Sequence, residues 1–209
     1  MNKQLVLPMD ISPTYTHEDF IIASCNIEAY KAIVSDVKWP FNRLIIIGES
    51  GSGKTHLANI WANKRSVIFL NNNPGYELNE TRNVVMENIE NLEETFLFHT
   101  INFCHERNLK LLMTTSRYGM YKTPDLLSRI TSSYKILIGI PDRDIIEALL
   151  TKSLLEKQII FHTDVPKYIA TRIERSFFEL KTLIQKIDEL SLSEKRAITI
   201  PFIKEIFEL

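Results

Sequence analysis

The sequence predicts an α/β protein with a five-stranded parallel sheet, helices on both faces of that sheet, and a small all-helical domain after it. Three observations lead to this prediction. Short apolar runs alternate with helical segments up to about residue 140, a phosphate-loop motif directly follows the first run, and only helical spacing appears after that point. Strands that alternate with helices favour a doubly wound parallel sheet, because each parallel connection needs a crossover.

Five short apolar runs are the predicted strands. The run Arg43–Ile47 is followed directly by glycine, and its apolar residues are uninterrupted, as expected for a central strand buried on both faces. The first predicted helix has Asn26 as its N-cap and ends at Trp39-Pro40. The predicted strands are 43–47, 66–70, 83–86, 109–114 and 133–138, and the predicted helices between them include 26–37, 54–64 and 93–107.

The character of the chain changes near Ile140-Pro141, where we place a domain boundary. Beyond this point four segments show helical apolar spacing: 142–157, 165–175, 177–190 and 200–207. The predicted organisation is therefore an extended segment 1–14, a nucleotide-binding α/β domain 15–140 and a helical domain 141–209.

The composition favours a globular protein of the cytoplasm. The two cysteines, Cys25 and Cys104, have no metal-ligand spacing and are typical of buried free thiols in a reducing compartment. No stretch approaches the roughly 20 apolar residues of a membrane span, and Pro8 and Asp10 interrupt the apolar start of the chain, unlike a secretory signal. The net charge of −1 argues against direct sequence-specific DNA binding held by phosphate contacts.

A phosphate loop is the most specific motif in the chain. The stretch from Gly48 to Thr55 fits the pattern G-x-x-x-x-G-K-[ST], and it lies between a predicted buried strand and a predicted helix. A glycine- and serine-rich turn before an ordinary helix is the alternative. We expect ADP or ATP with Mg²⁺, because glycines let backbone N–H groups face phosphate oxygens while the lysine neutralises them. The predicted nucleotide contacts are Gly48, Ser50, Gly51, Ser52, Gly53, Lys54 and Thr55, the last also a magnesium ligand.

A second polar pair follows the predicted strand 83–86. Glu87 can approach the water shell of Mg²⁺, and is predicted as the metal-side carboxylate. Asn88 stands where a water-activating carboxylate is usual, and its amide can form hydrogen bonds but cannot take up a proton. The alternative is that both residues only cap a strand. The pair therefore predicts nucleotide binding with poor hydrolysis.

With these motifs in place, the chain resembles the DnaA/Hda family of AAA+ proteins over almost its whole length, and the Hda branch more than the DnaA branch. The resemblance rests on several separate stretches in the same order as in the family. They are Tyr15–Ile22, Gly48–Leu57 with its GKTHL ending, Met86–Glu90, Leu97–Phe103, Pro124–Ile130, Ser176–Lys181 and Thr199–Ile206.

The resemblance implies further site residues. Ile21, Ile22 and His56 are implied as nucleotide contacts, and Thr115 and Ser116 as polar sensors of the terminal phosphate. Arg129 is implied as an arginine finger that acts in trans on a neighbour's nucleotide. A solvated surface charge or a structural ion pair is the alternative for Arg129.

Three departures from the family pattern qualify this resemblance. Phe178 occupies the position of the lid arginine in DnaA, which weakens any claim that the lid senses the terminal phosphate. The stretch 71–82 is too short for the family's usual insertion, so contacts to single-stranded DNA there are doubtful. Finally, the sequence given ends at Leu209, so no helix-turn-helix domain is expected to follow the lid.

The apolar start of the chain matches a peptide motif. Gln4, Leu5, Leu7 and Pro8 fit the Gln-Leu-x-Leu-Pro pattern of sliding-clamp binding, and Hda resembles this chain in starting with one. In such a peptide the glutamine forms hydrogen bonds, the leucines fill an apolar pocket and the proline stiffens the exit. The alternative is a frayed strand packed on its own domain.

Together these features predict a negative regulator of replication initiation. The expected partners are DnaA, whose ATP hydrolysis the protein would stimulate, and the sliding clamp, which is the β subunit of DNA polymerase III. Self-association into a homodimer is left open. The alternatives are a helicase loader of the DnaC type, for which residues 1–14 leave no room for a helicase-binding domain, a DnaA-related AAA+ adaptor, and a small-molecule P-loop kinase.

Overall fold

A five-stranded parallel sheet lies at the centre of the first part of the chain, as predicted. The computed structural model describes residues 15–35, 37–70, 81–119, 121–194 and 197–208. The strands are β1 (Arg43–Ile47), β2 (Val67–Leu70), β3 (Asn83–Met86), β4 (Leu111–Thr115) and β5 (Tyr134–Leu137), in the order β2-β3-β4-β1-β5. The carboxyl ends of β1, β3 and β4 therefore meet at one edge, where ligands bind in open α/β sheets.

In the described residues one helix precedes β1, and three others follow β1, β3 and β4. They are α1 (Ile27–Val34), α2 (Lys54–Ala62), α3 (Glu94–Glu106) and α4 (Pro124–Thr131), with short 3₁₀ turns at Pro40–Asn42 and Ile89–Asn91. The prediction that α1 extends to Val37 was wrong, since the helix ends at Val34 and Ser35 has extended backbone. Strand β4 also begins two residues later than predicted, because the Leu109 amide closes the end of α3 by donating to the Cys104 carbonyl.

The helices cover both faces of the sheet. Leu44 and Ile46 of β1 pack in one buried cluster with Trp61 of α2, whereas Ile45 packs in a second cluster with Leu97 of α3. Alternate residues of a strand point to opposite faces, so this division places α1 and α2 on one face and α3 and α4 on the other. A strand covered on both sides explains why β1 reads as a continuous apolar run.

The C-terminal part of the chain is helical and has its own core. Its helices are α5 (Arg143–Glu156), α6 (Val165–Ala170), α7 (Phe177–Glu194) and α8 (Ile200–Glu208). We call this C-terminal part the lid. Its buried cluster includes Leu150, Ile169, Ile187 and Ile203. The predicted helix 165–175 is shorter than expected, ending at Ala170. In the described residues, no helix is both long and apolar enough to cross a membrane.

The lid packs directly against the phosphate loop. Gly51 has a φ of +85°, and a Cβ added to it would lie 2.9 Å from the carbonyl oxygen of Phe177 at the start of α7. Atoms at that distance clash, so the close approach of the two backbones requires glycine at this position.

Alanine substitutions at Gly51 and Gly119 distinguish the effect of this contact from the effect of backbone strain alone. Gly119 has a similar φ of +92° but nothing within 4 Å of an added Cβ. We expect Gly119→Ala to lower the free energy of unfolding by about 1–2 kcal/mol, the cost of a left-handed alanine. Gly51→Ala should cost more, because it also displaces α7, and should weaken nucleotide binding. Denaturant unfolding and nucleotide titration of both variants test this, and equal effects would contradict it.

Candidate nucleotide site

A cavity of about 860 Å³ lies at the carboxyl edge of the sheet, between the phosphate loop, the segment 15–26 and helices α5 and α7 of the lid. Most of the residues predicted for the chain's own nucleotide site line this cavity. They are Ile21, Ser50, Gly51, Ser52, Gly53, Lys54, Thr55, His56, Asn88 and Ser116. Four predicted site residues, Gly48, Ile22, Glu87 and Thr115, are not among the residues that line it.

Lys54 is buried at the base of the cavity and held by the loop itself. Its Nζ donates to the carbonyl oxygens of Gly48 and Glu49, both at 2.8 Å. Burial lowers the pKa of Lys54, although the negative charges of Glu90 and Glu87 oppose this change. An anion in the cavity would therefore stabilise the charged form of a lysine that burial destabilises. Gly48 does not line the cavity, but its carbonyl oxygen helps to hold Lys54 in place.

Thr55 and Glu87 provide oxygen atoms beside the loop. The Oγ1 atom of Thr55 donates to Oε1 of Glu87 at 2.5 Å, although the two residues belong to α2 and to the end of β3. A hydroxyl and a carboxylate at hydrogen-bonding distance, next to a phosphate loop, suit a small hard cation such as Mg²⁺. This pair fits the predicted magnesium site.

The residues after β3 and β4 form a second wall of the cavity. Asn88 has a left-handed backbone with φ of 51°, which asparagine adopts more readily than most residues. Its backbone N–H donates to Oγ1 of Thr114 at 3.1 Å. Thr115 is fully buried, and its Oγ1 donates to the carbonyl of Arg117 at 2.5 Å, so this predicted sensor is turned away from the cavity. Of the two predicted sensors, only Ser116 lines it.

Glu90 is a cavity residue that the sequence analysis did not select. Its Oε1 accepts hydrogen bonds from the Ser116 hydroxyl and from the Ser116 backbone N–H, the latter at 2.9 Å. Burial alone would raise the pKa of Glu90, but the hydrogen bonds that its carboxylate accepts, those from Ser116 foremost, together bring this pKa below its usual value. The 3₁₀ turn Ile89–Asn91 carries this carboxylate back toward the cavity, beside Asn88.

Glu49 links the phosphate loop to the lid. Its Oε2 accepts from the Ser176 hydroxyl and from the Phe177 backbone N–H, both at 2.9 Å. The Ser176 oxygen in turn accepts from the backbone N–H of Phe178 at 3.1 Å. Acceptors at the first turn satisfy helix amides that have no partner within the helix. A carboxylate of the loop thus holds the amino end of α7.

The lid presents a lysine to the cavity. Phe178, at the position of the family's lid arginine, is 54% exposed and does not line the cavity. Lys181 does line it, one turn along the same helix face as Phe177. Among the described residues its ammonium has no hydrogen-bond or ion-pair partner, and its charge is one of the influences that lower the pKa of Lys54. Lys54 and Lys181 therefore both contribute positive charge to the nucleotide cavity.

The segment before α1 closes the remaining side. Asn26 stands at the predicted N-cap, but its side chain bonds backwards, accepting from the Ala23 amide at 2.8 Å and donating to the Ile21 carbonyl at 2.9 Å. Ile21 lines the cavity, whereas Ile22 is 45% exposed on the other side of the backbone. The His56 ring bonds the Thr16 carbonyl through Nε2 at 2.7 Å, which ties this segment to α2.

Arg129 lies apart from this cavity. It belongs to α4 and is half-buried, with its guanidinium carbon 5.0 Å from the centre of the Phe98 ring. It does not line the nucleotide cavity. The predicted clamp-binding residues Gln4, Leu5, Leu7 and Pro8 are outside the described residues.

Comparison with known proteins agrees with this geometry. The family model for the bacterial DnaA ATPase domain matches residues 11–78, and the model for the Hda lid domain matches residues 142–207. The chain belongs to the DnaA/Hda family of AAA+ proteins. Within this family, a DnaA-like nucleotide-binding segment is followed here by a lid of the Hda type.

Individual proteins and solved structures are also similar to this chain. The chromosomal replication initiator protein DnaA of Buchnera aphidicola subsp. Cinara cedri is 26% identical over 98% of this chain and 55% of its own length. The chain thus spans about half the length of the curated relatives it matches first. Domain III of DnaA from Thermotoga maritima has a TM-score of 0.71 and 21% identity, covering 91% of this chain and 94% of that one. A replication initiator DnaA bound to AMPPCP and single-stranded DNA has a TM-score of 0.65 and 18% identity, covering 90% and 70%.

The position of Lys181 leads to a prediction about nucleotide affinity. We expect Lys181→Met to bind ATP and ADP about tenfold more weakly, the loss of one charge-assisted contact. Adenosine, which has no phosphate, should bind both proteins equally. Titration calorimetry checks this, with Lys167→Met as the control, since Lys167 is an exposed lysine of the lid outside the cavity. Unchanged ATP affinity in Lys181→Met would refute the assignment.

Proposed function

We propose that this protein is a nucleotide-bound AAA+ regulator of the Hda type, which stimulates ATP hydrolysis by DnaA and so restrains replication initiation. The observation that carries the proposal is the position of Arg129, an arginine set away from the chain's own nucleotide cavity. Membership of the DnaA/Hda family and the Hda-type lid also support this proposal. A cavity for the chain's own nucleotide, together with an arginine placed for the nucleotide of a neighbouring protein, is what a regulator of that neighbour needs.

The chain's own nucleotide binds as ADP or ATP in the cavity of the phosphate loop. Backbone N–H groups of the loop hold the phosphates, and the Lys54 ammonium exchanges its carbonyl partners for phosphate oxygens. Thr55 and Glu87 would hold Mg²⁺ there, which supplies charge neutralisation at the phosphates when bound. The Ile21 side of the cavity receives the base.

Hydrolysis of this resident nucleotide is slow in the proposed function. A general base must accept a proton from the attacking water, and the Asn88 amide cannot. Glu87 is assigned to the metal, and Glu90 is a second carboxylate near Asn88, but hydrogen bonds, those from Ser116 foremost, stabilise its charged form and lower its pKa, which makes it a weak base. The nucleotide therefore acts mainly as a structural ligand that holds the lid against the loop.

Arg129 acts on the nucleotide of DnaA. In the described part of the chain no carboxylate pairs with its guanidinium, which instead packs on the Phe98 ring. An arginine supplied in trans stabilises the charge that develops on the transferring phosphoryl group, and such fingers raise rates by about 10³–10⁵. The chain therefore supplies an arginine to the nucleotide of DnaA, although its own nucleotide site is poorly equipped for hydrolysis.

The sliding clamp is the proposed tether, through Gln4, Leu5, Leu7 and Pro8 of the N-terminal segment. Attachment to the clamp raises the local concentration of the regulator near replicating DNA in the cytoplasm without direct sequence-specific DNA contacts. Self-association into a homodimer is compatible with this arrangement.

Phosphate release from ATP-loaded DnaA, in the presence of clamp and DNA, tests the proposal. Arg129→Ala should lower the stimulated rate by at least about 10³-fold, because the finger contributes only in the transition state. Its binding of ADP and clamp should equal that of the parent. Arg172→Ala is the matched control, since Arg172 is an arginine of the lid that also packs on an aromatic ring, 3.8 Å from the centre of Tyr168.

Two results would contradict the proposal. The first is equal stimulation of DnaA by Arg129→Ala and by the parent. The second is specific capture of the replicative helicase with no effect on DnaA, which would favour a loader of the DnaC type.

A further inference from the structure

A second cavity lies beside α4 at the opposite end of β1 from the phosphate loop. Its volume is about 280 Å³, and two arginines line it, Arg43 at the start of β1 and Arg129 of α4. The polar side chains of Ser128, Ser132 and His105 line it too, with Asp125 as the one carboxylate among its lining residues.

Arg43 is buried without the partners that a buried charge needs. Its side chain is 4% exposed, and only Nη2 is satisfied, donating to the Ser132 hydroxyl oxygen at 3.1 Å. Its Nε and Nη1 atoms are buried, with no hydrogen-bond partner among the described residues. A guanidinium carries five N–H donors, and leaving them unpaired away from water is costly. One reason for a protein to retain a buried group with unpaired donors is that the group binds a ligand.

A second positive charge stands close to this one. The Ser132 hydroxyl that accepts from Arg43 donates to the carbonyl oxygen of Arg129 at 3.0 Å. Burial lowers the pKa of Arg43, and the charge of Arg129 lowers it further. Each guanidinium packs on an aromatic ring, 5.1 Å from the centre of Phe41 for Arg43 and 5.0 Å from the centre of Phe98 for Arg129. In the described residues neither arginine has a carboxylate as an ion-pair partner.

The backbone beside Arg43 is strained. Phe41 and Asn42 both have left-handed conformations, with φ of 52° and 56°, and for a phenylalanine this is uncommon. The Asn42 side chain donates to Oδ1 of Asn108 at 2.6 Å, which holds the strained turn in place. The turn keeps the Phe41 ring over Arg43 while leaving the ring 58% exposed. Strain of this kind is retained mainly at functional sites.

We propose that this cavity is a second anion site, which takes a phosphoryl group between Arg43 and Arg129. An oxyanion in the cavity would compensate the charge of Arg43, which has no carboxylate partner among the described residues, and would remove the repulsion between the two arginines. Arginine pairs match the geometry of phosphate oxygens, and the Ser128 hydroxyl, which also lines the cavity, adds a donor. The phosphoryl group comes either from the partner's nucleotide, in which case the inference rests on the proposed function, or from free inorganic phosphate.

Inorganic pyrophosphate is the probe, added to the full chain after ADP has filled the phosphate-loop cavity. The melting temperature of the parent should rise with pyrophosphate concentration, because a ligand of the folded state stabilises it. In Arg43→Met and in Arg129→Ala, half of the parent's shift should need at least about tenfold more pyrophosphate, or should not be reached. Arg172→Met, which removes an arginine from the Tyr168 ring in the lid, should respond as the parent does.

Without pyrophosphate, Arg43→Met should melt at or above the temperature of the parent, since it removes a buried unpaired charge. An arginine that only stabilises the fold would give the opposite sign. If either Arg43→Met or Arg129→Ala keeps the full pyrophosphate response, the anion site is refuted.

Stimulation of ATP hydrolysis by DnaA distinguishes the two sources of the phosphoryl group. If Arg43→Met loses both the pyrophosphate response and this stimulation, the site takes the partner's nucleotide. If it loses only the pyrophosphate response, the site takes free phosphate. If Arg129→Ala loses the pyrophosphate response but still stimulates DnaA, the proposed function fails while the anion site stands.

Discussion

The carboxylate of Glu49 joins the phosphate loop to the first turn of α7, and the nucleotide cavity depends on this contact. Its two hydrogen bonds, to the Ser176 hydroxyl and the Phe177 amide, bring the lid close enough that only glycine fits at position 51. The same contact sets the position of Lys181 along the cavity wall. The lid is also held away from the loop, since Lys152 of α5 bonds to Asp19 of the segment before α1, but in the described residues only the Glu49 contact joins it to the loop through a side chain of the loop.

The two ends of β1 have complementary chemistry. The phosphate loop follows its carboxyl end, with Lys54 and the amino end of α2 facing one cavity. Arg43 begins the strand at its other end and lines a separate cavity with Arg129. One buried strand therefore connects the candidate nucleotide cavity with a second cavity, which is lined by the buried Arg43 and the half-buried Arg129. This arrangement supports the proposed function, in which the chain binds one nucleotide and acts on another.

Local signals predicted most of the fold and part of the site. The strands and the phosphate loop were predictable because a buried strand and a glycine-rich turn each leave a pattern within a few residues. Glu90, Lys181 and Arg43 were not selected, because a 3₁₀ turn, the docking of the lid and the burial of a strand's first residue decide their surroundings. The orientation of Thr115, a predicted sensor whose hydroxyl bonds the Arg117 carbonyl away from the cavity, has a simpler reason. Neighbouring residues of a strand face opposite ways, and Thr114 faces Asn88 instead.

Hydrogen exchange at the Phe177 backbone amide is the most direct test of how the lid is held. In the structure this amide is bonded to Glu49, so we expect opening of the lid to control its exchange when the protein is measured with ADP present. We expect the amide to exchange at least about tenfold faster in Glu49→Ala, which corresponds to the loss of about 1.4 kcal/mol of protection. The amide of Ile187, deep in the lid core, should be unaffected. If Phe177 stays as protected in Glu49→Ala as in the parent, the loop does not hold the lid and this account is wrong.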